Sequence, residues 1–232
     1  MVNSWDLNIL LEDNHLLVLG KPPSLPTAHG QIQGDSLFDF AKSYLKTRYA
    51  KPGNVFLGVV HRLDQPVSGI VIFAKTSKAA ARLSEQFRDS LVEKTYLAVT
   101  EGIPNESSGT FHHFLTHDDE ERMALISNGN NPLAKEAITH FSVRGTNENH
   151  AFLILNPKTG RKHQIRIQLA SRGHPVVGDR KYGSTMNFTR GIALHAYGIK
   201  FKHPVKDELL NLKLDLPKIW FNHFGNWIKP PV

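Results

Sequence analysis

The residues with the clearest chemical potential lie in the stretch 61–75, HRLDQPVSGIVIFAK. A charged group ends in the carboxylate of Asp64, and a proline and a glycine then turn the chain. The apolar run 70–74 that follows is rich in β-branched residues and predicts a strand buried on both faces. An acid on a tight turn beside such a strand is held rigidly and partly out of water, a placement that serves chemistry rather than solubility. The alternative for Asp64 alone is a carboxylate that caps a backbone amide.

A second informative stretch covers residues 158–183, KTGRKHQIRIQLASRGHPVVGDRKYG. Alternating apolar residues suit a strand, whereas a threonine before the segment and a glycine and proline after it suit a helix. We favour a helix over residues 161–172, in which Arg166 points toward the core. An inward arginine is costly unless it is paired with an acid, and Asp64 is the candidate partner. The alternative is that Arg166 is one more basic surface residue.

Composition limits the class of protein. A chain of 232 residues that is 40% apolar is long enough for one large domain with a sizeable core. The absence of cysteine excludes disulfides and thiolate metal sites. No apolar stretch is long enough to cross a bilayer, and the first residues carry acids where a signal peptide carries bases. These features predict a cytoplasmic protein.

The net charge of +7 is unevenly distributed. Residues 158–206 contain eleven lysines and arginines but one acid, Asp179. A basic segment on a neutral or acidic body is typical of a surface that binds a polyanion such as nucleic acid. The alternative is a solvated surface without a partner.

The elements that must position these residues form an α+β pattern. Prolines at 22, 23 and 26 predict an extended loop. Helix N-termini are predicted at Asp35 or Ser36 and at Thr76 or Ser77. Strands are predicted at residues 7–11, 16–19, 94–100, 137–143, 151–155, 198–201 and 209–214. The strands at 137–143 and 151–155 are expected to be joined through residues 145–147. A short apolar helix is predicted at 219–228. Such an order favours an α+β domain built on a mixed or antiparallel sheet.

Taken together, three motifs in this order resemble the RluA-type family of pseudouridine synthases. They are HRLDQPVSGIVIFAK, KTYLAV and GRKHQIRIQLASRGHPVVGDRKYG, followed by ALHA and KHP, over about residues 16–215. The resemblance implies a single catalytic domain over residues 1–232, with a long, bent, mainly antiparallel mixed sheet flanked by helices. It implies isomerisation of uridine to pseudouridine in structured RNA, ribosomal or transfer, without a metal or organic cofactor. We expect a monomer. Too few residues precede the first strands for the small RNA-binding domain that many relatives carry.

The resemblance also assigns roles to residues. Asp64 matches the essential aspartate, Tyr96 the tyrosine that offers its ring to the extruded base, and Arg166 the arginine of the third motif. The arginine that helps to displace the target base is matched by Arg62. Further substrate-binding residues are expected at His61, Arg161 and His163. The chain departs from the common pattern after Asp64 and at Gln168, which concerns the substrate rather than the chemistry.

Two other functions compete with an RNA isomerase. A catalytically silent RNA-binding module could keep the same fold, but binding alone would not require Asp64, Tyr96 and Arg166 together. A nucleoside hydrolase could use Asp64 on a glycosidic bond, and it would release free uracil rather than an isomer of unchanged mass. The histidines at 112, 113 and 117 have no adjacent carboxylate at ligand spacing, so we expect no metal site there.

Overall fold

The computed structural model describes residues 7–28 and 35–231. They fall into two compact units. The first contains the residues up to 92 together with Gly198–Leu214, and the second contains Glu93–Tyr197 together with the residues from Asp215 onward. The expected single catalytic domain over 1–232 stays a prediction. None of the helices in the described ranges has the length and apolarity needed to cross a membrane.

The described residues form eleven strands and four α-helices. The strands are β1 Asn8–Glu12, β2 Leu16–Lys21, β3 Gly58–Val59, β4 Ser68–Ala74, β5 Glu93–Glu101, β6 Ser108–Asp118, β7 Met123–Ser127, β8 Lys135–Asn147, β9 His150–Pro157, β10 Leu194–Lys202 and β11 Leu209–Lys213. The helices are α1 Leu37–Arg48, α2 Ser77–Arg88, α3 Gln164–Ala170 and α4 Lys218–Phe224, with 3-10 turns at Arg180–Tyr182 and Gly225–Trp227.

In the first unit, β4 is the central strand. It pairs antiparallel with β2 on one side and with the short β3 on the other, and β1 pairs antiparallel with β2. Every residue of β4 is buried, as its apolar run predicted. Ala79 and Leu83 of α2 pack on the core that β2 and β4 form. The predicted caps are confirmed, because the side chain of Ser36 accepts from the backbone of α1 and that of Thr76 from the backbone of α2.

The second unit contains an antiparallel run of strands in the order β5, β9, β8, β6, β7. The predicted strands at 94–100, 137–143 and 151–155 are present as β5, β8 and β9. The expected connection at 145–147 was wrong, because β8 continues to Asn147 through a register shift at Gly145, and the turn lies at 148–149. The acidic run 118–121 lies at the exposed turn between β6 and β7. The predicted α+β class with a mainly antiparallel sheet is confirmed.

Helix α3 is shorter than predicted. The helix rather than the strand is correct, but it spans Gln164–Ala170 instead of 161–172. His163, just before the helix, lies in the left-handed region with φ 54°, so helical geometry cannot extend further toward the N-terminus. The predicted C-terminal helix is also shorter, because α4 ends at Phe224 and a 3-10 turn follows.

Candidate active site

Asp64 lies on a turn whose backbone is fixed by neighbouring hydrogen bonds. The N–H of Val67 donates to the carbonyl of Asp64 at 3.0 Å and closes the turn. The preceding residue, Leu63, is bound through both backbone groups by Thr27, whose hydroxyl donates to the Leu63 carbonyl at 2.9 Å and accepts from its N–H at 3.1 Å. The side chain of Asp64 is half-buried. The carboxylate is therefore presented from a rigid frame, as the sequence predicted.

A buried lysine holds the other side of this turn. Lys21 ends β2 and is 2% exposed, and its Nζ donates to the carbonyls of Pro22 at 3.0 Å, Leu25 at 2.8 Å and Gln65 at 3.1 Å. Burial lowers the pKa of Lys21 to about 7, although the charge of Asp64 acts in the opposite direction. Lys21 therefore joins the proline-rich loop to the residue that follows Asp64.

Sequence reasoning missed Lys21. The prolines predicted an extended loop at 21–26, but Lys21 belongs to β2 and the loop turns at residues 23–24. A lysine at the end of an apolar strand looks like an ordinary surface residue. Its partner Gln65 is 44 positions away. On the neighbouring strand, Gly69 is paired with Lys21 and adopts φ +128°, a conformation that L side chains rarely take. The sequence signal that could have identified the site is a glycine in one strand opposite the lysine that ends the neighbouring strand.

His61 and Arg62 occupy different environments. The Nε2 of His61 accepts a hydrogen bond from the N–H of Ile72 at 2.9 Å, and the ring stacks on Phe87 with centroids 4.6 Å apart. These contacts fix the ring against β4 and α2. Arg62 is exposed. Their expected roles in substrate binding stay predictions.

In the second unit, Arg166 is paired with an acid that sequence reasoning did not name. Its Nε and Nη2 donate to the two carboxylate oxygens of Asp179 at 2.7 and 2.8 Å, and both side chains are nearly inaccessible to solvent. The guanidinium also lies 5.0 Å from the ring centre of Tyr182. Arg166 is therefore an inward residue, as predicted, and its orientation is fixed. Its pairing with Asp64 stays a prediction. Asp179 could have been considered, because it is the single acid of the basic segment 158–206.

Tyr182 connects this ion pair to two further groups. Its hydroxyl accepts from the N–H of Ala124 at 2.8 Å and lies 2.8 Å from Nδ1 of His163. The rings of His163 and Tyr182 meet edge to face at 5.6 Å. His163 therefore has a structural role in holding the start of α3, and its expected contact with substrate stays a prediction.

Gln164 organises the loop that leads into α3. Its Oε1 accepts from the hydroxyl of Thr159 at 2.8 Å and from the N–H of Arg161 at 3.0 Å. Its Nε2 donates to the carbonyl of Ile138 at 3.0 Å and to the hydroxyl of Thr139 at 2.9 Å. One buried amide thereby fixes the backbone on which Arg161 lies. Sequence reasoning treated this glutamine only as part of a motif.

Tyr96 lies on β5 opposite Leu155 of β9 and is half-buried. The strand fixes its backbone position, which suits a ring that offers one face to a base. Its predicted role stays a prediction. Within residues 7–28 and 35–231, no group of three or more histidine, aspartate or glutamate side chains has the geometry to hold a metal ion.

Comparisons with known proteins identify the family. The family model described as RNA pseudouridylate synthase matches residues 15–171. The uncharacterized RNA pseudouridine synthase YhcT of Bacillus subtilis is 35% identical over 215 residues, which cover 91% of this chain and 69% of the relative. The ribosomal large subunit pseudouridine synthase C of Rickettsia prowazekii is 33% identical over 212 residues, covering 90% and 68%.

The solved structures agree with this result. The human RNA pseudouridylate synthase domain containing 4 is 27% identical, with a TM-score of 0.77 and coverage of 93% of this chain and 90% of the human one. The resemblance found from the three motifs, and the isomerase activity that it implies, are thereby confirmed. The chain belongs to the RNA pseudouridylate synthase family and is an isomerase that converts uridine to pseudouridine in RNA.

Proposed function

We propose that this protein modifies specific uridines of ribosomal RNA, with Asp64 as the essential carboxylate. The observation that carries the proposal is the fixed turn that presents Asp64 within the segment matched by the family model. The choice of ribosomal RNA is supported by the name of the Rickettsia relative, which is a synthase of the large ribosomal subunit. The basic segment 158–206 supports binding to a polyanion. We also propose that the protein acts as a monomer in the cytoplasm.

The proposed reaction breaks the bond between ribose carbon 1′ and uracil nitrogen 1. The uracil then turns, carbon 1′ bonds to ring carbon 5, carbon 5 releases its proton, and nitrogen 1 takes up a proton. Asp64 acts as the ionised carboxylate, either by covalent attack or by assisting departure of the base and removal of that proton. Atoms balance without a co-reactant, because the product is an isomer of the substrate.

The target nucleotide must first leave its stack, which costs roughly a few kcal/mol. Arg62 is exposed, which supports its role in filling the vacated space with a planar cationic group. Tyr96 provides an aromatic face for the extruded base. Arg166 provides the cation for Asp64, and the fork to Asp179 supports this role because it holds the guanidinium in one orientation.

The proposal is tested with Asp64→Asn and a matched control, Asp207→Asn, which changes an exposed acid. Ribosomal RNA fragments labelled with tritium at uracil carbon 5 report the reaction, because pseudouridine formation releases the label. We expect Asp64→Asn to bind RNA and unfold like the wild type but to release no tritium, while Asp207→Asn remains fully active. Turnover by Asp64→Asn at the wild-type rate would refute the assignment.

Three further outcomes would correct the proposal in different ways. Free uracil among the products of the wild type would indicate a hydrolase. Binding without any turnover on ribosomal and transfer RNA would indicate a catalytically silent RNA-binding module. Activity on transfer RNA alone would keep the chemistry and refute the proposed substrate.

A further inference from the structure

The start of β5 carries one cation, Lys94, and the loop 158–161 that it contacts carries a second, Arg161. The Nζ of Lys94 donates to the carbonyl of Thr159 at 3.3 Å, and a Cβ placed on Gly160 would have this Nζ as its nearest neighbour, at 3.9 Å. The next residue of the same loop is Arg161, whose Nε donates to the carbonyl of Glu136 at 2.9 Å. Both cations are thus held by neutral backbone oxygens, and both belong to the second unit.

No acid neutralises this pair within the described ranges 7–28 and 35–231, where neither Lys94 nor Arg161 forms an ion pair with a carboxylate. Glu136 gives Arg161 only its backbone carbonyl. The carboxylate of Glu136 binds Nε2 of His112 at 2.9 Å instead. Lys94 is half-buried, and burial together with the charge of Arg161 lowers its pKa. Two like charges, one of them partly withdrawn from water, are unfavourable unless an anion is present.

The position of Lys94 relates this cation pair to the proposed substrate. Lys94 and Tyr96 are two residues apart on β5, so their side chains project from the same face of the strand, about 7 Å apart along it. A phosphate group bound by Lys94 would therefore lie within one nucleotide of a base that contacts Tyr96.

We propose that Lys94, Arg161 and the loop 158–161 form a binding site for one phosphodiester group of the RNA substrate, a proposal that rests on the function proposed above. The ammonium of Lys94 supplies a point charge, and the guanidinium of Arg161 supplies a planar fork of donors. Lys158 is exposed on the same loop and adds to the positive potential. The hydrogen bonds of Gln164 hold the loop in place for this contact.

The salt dependence of RNA affinity tests the site. Each phosphate contact contributes about 0.7–0.9 to the slope of log affinity against log salt concentration. We expect Lys94→Gln and Arg161→Gln each to weaken binding and to lower this slope by about one contact. Because both cations serve one phosphate, the double variant should lose no more slope than either single variant. Lys46→Gln, which removes an exposed charge on α1, should leave the slope unchanged.

The same data contain the results that would overturn the proposal. A wild-type slope for Lys94→Gln, or a double variant whose loss is the sum of the two single losses, would show separate surface charges and no shared site. Turnover at saturating RNA should stay near the wild-type rate in Lys94→Gln while KM rises, because the phosphate is bound equally before and during the reaction.

A second measurement uses the unmodified protein, and it needs neither folding of a variant nor turnover. Inorganic phosphate should raise the pKa of the Lys94 ammonium, read from the NMR signals of isotope-labelled lysine, whereas chloride at equal ionic strength should not. No phosphate-specific change would overturn the anion site. If the wild type forms no pseudouridine yet phosphate binds and the slopes change as expected, the proposed function fails and the site stands.

Discussion

The stability of this protein should depend on pH through one buried group, Lys21. Its side chain is 2% exposed, and burial lowers its pKa to about 7 from the ordinary value of 10.5. Between these two pH values, the unfolded chain holds a proton that the folded chain has released. Unfolding therefore takes up a proton, and the free energy of unfolding rises as the pH increases through this window.

The structure gives the size of this effect. The difference between the two pKa values of Lys21 corresponds to about 5 kcal/mol over the whole window. From about pH 7, where the folded group is half protonated, to about pH 9, the free energy of unfolding should rise by about 2 kcal/mol. Below about pH 6 both states hold the proton and this contribution no longer changes.

Lys21→Met is the variant that isolates the effect. Methionine keeps the length of the stem but removes the titrating group, and it leaves three carbonyls without their donor, a cost of about 1–3 kcal/mol each that is independent of pH. Urea unfolding at both pH values gives the free energy of unfolding of the wild type and of the variant. The contributions of the other titrating groups cancel in the difference between the two proteins. We expect the difference to shift by about 2 kcal/mol in favour of the wild type at the higher pH. Lys46→Met, an exposed control, should show no shift. A constant difference for Lys21→Met would refute the argument from burial.

Three other substitutions test the frame of the site. Asp179→Asn leaves Arg166 buried without its charged partner, so the free energy of unfolding in urea should fall by about 3–5 kcal/mol. The kcat should fall more than the RNA affinity. Unchanged stability would show that water compensates the guanidinium. Burial raises the pKa of Glu101, but hydrogen bonds from residues 184–186 outweigh this effect, and the pKa is lowered overall. The ionised carboxylate therefore stabilises the fold above pH 4.5, and this stabilisation is lost in acid. Glu101→Gln should therefore cost about 1 kcal/mol near neutral pH and progressively less at lower pH, and a deficit that grows in acid would contradict this. Gly69→Ala should lower the free energy of unfolding by about 1–3 kcal/mol because φ is +128°. Thermal unfolding at the wild-type temperature would show instead that the start of β4 relaxes.

The parts of the fold that sequence predicted are those that local chemistry determines. Ser36 and Thr76 cap their helices because each side chain reaches a backbone group three residues away. The burial of β4 follows from its own apolar run. The three motifs identified the family because each of them is contiguous in sequence.

Long-range partners were not predictable in the same way. Lys21 and Gln65 lie 44 positions apart, and Thr27 and Leu63 lie 36 apart. No local pattern reports such pairs, because water can hydrogen-bond a lysine at a strand end or a threonine in a loop equally well. The sequence therefore predicted which acid is presented, whereas the side chains that hold its turn were visible only in the fold.

The sequence around α3 gives both strand and helix signals. They conflict because long-range contacts, and not local chemistry, determine the structure there. A seven-residue helix is too short to be stable by itself, so its contacts rather than its sequence pattern decide the structure. Thr159, the predicted cap, does not cap the helix. Its hydroxyl donates to Gln164 and accepts from the N–H of Ile138 in β8. The loop is thus tied to the sheet before the helix begins, and the start of α3 moves to Gln164. Because Arg161 lies on this tied loop and Arg166 on the helix beyond it, one buried glutamine amide fixes the positions of both cations.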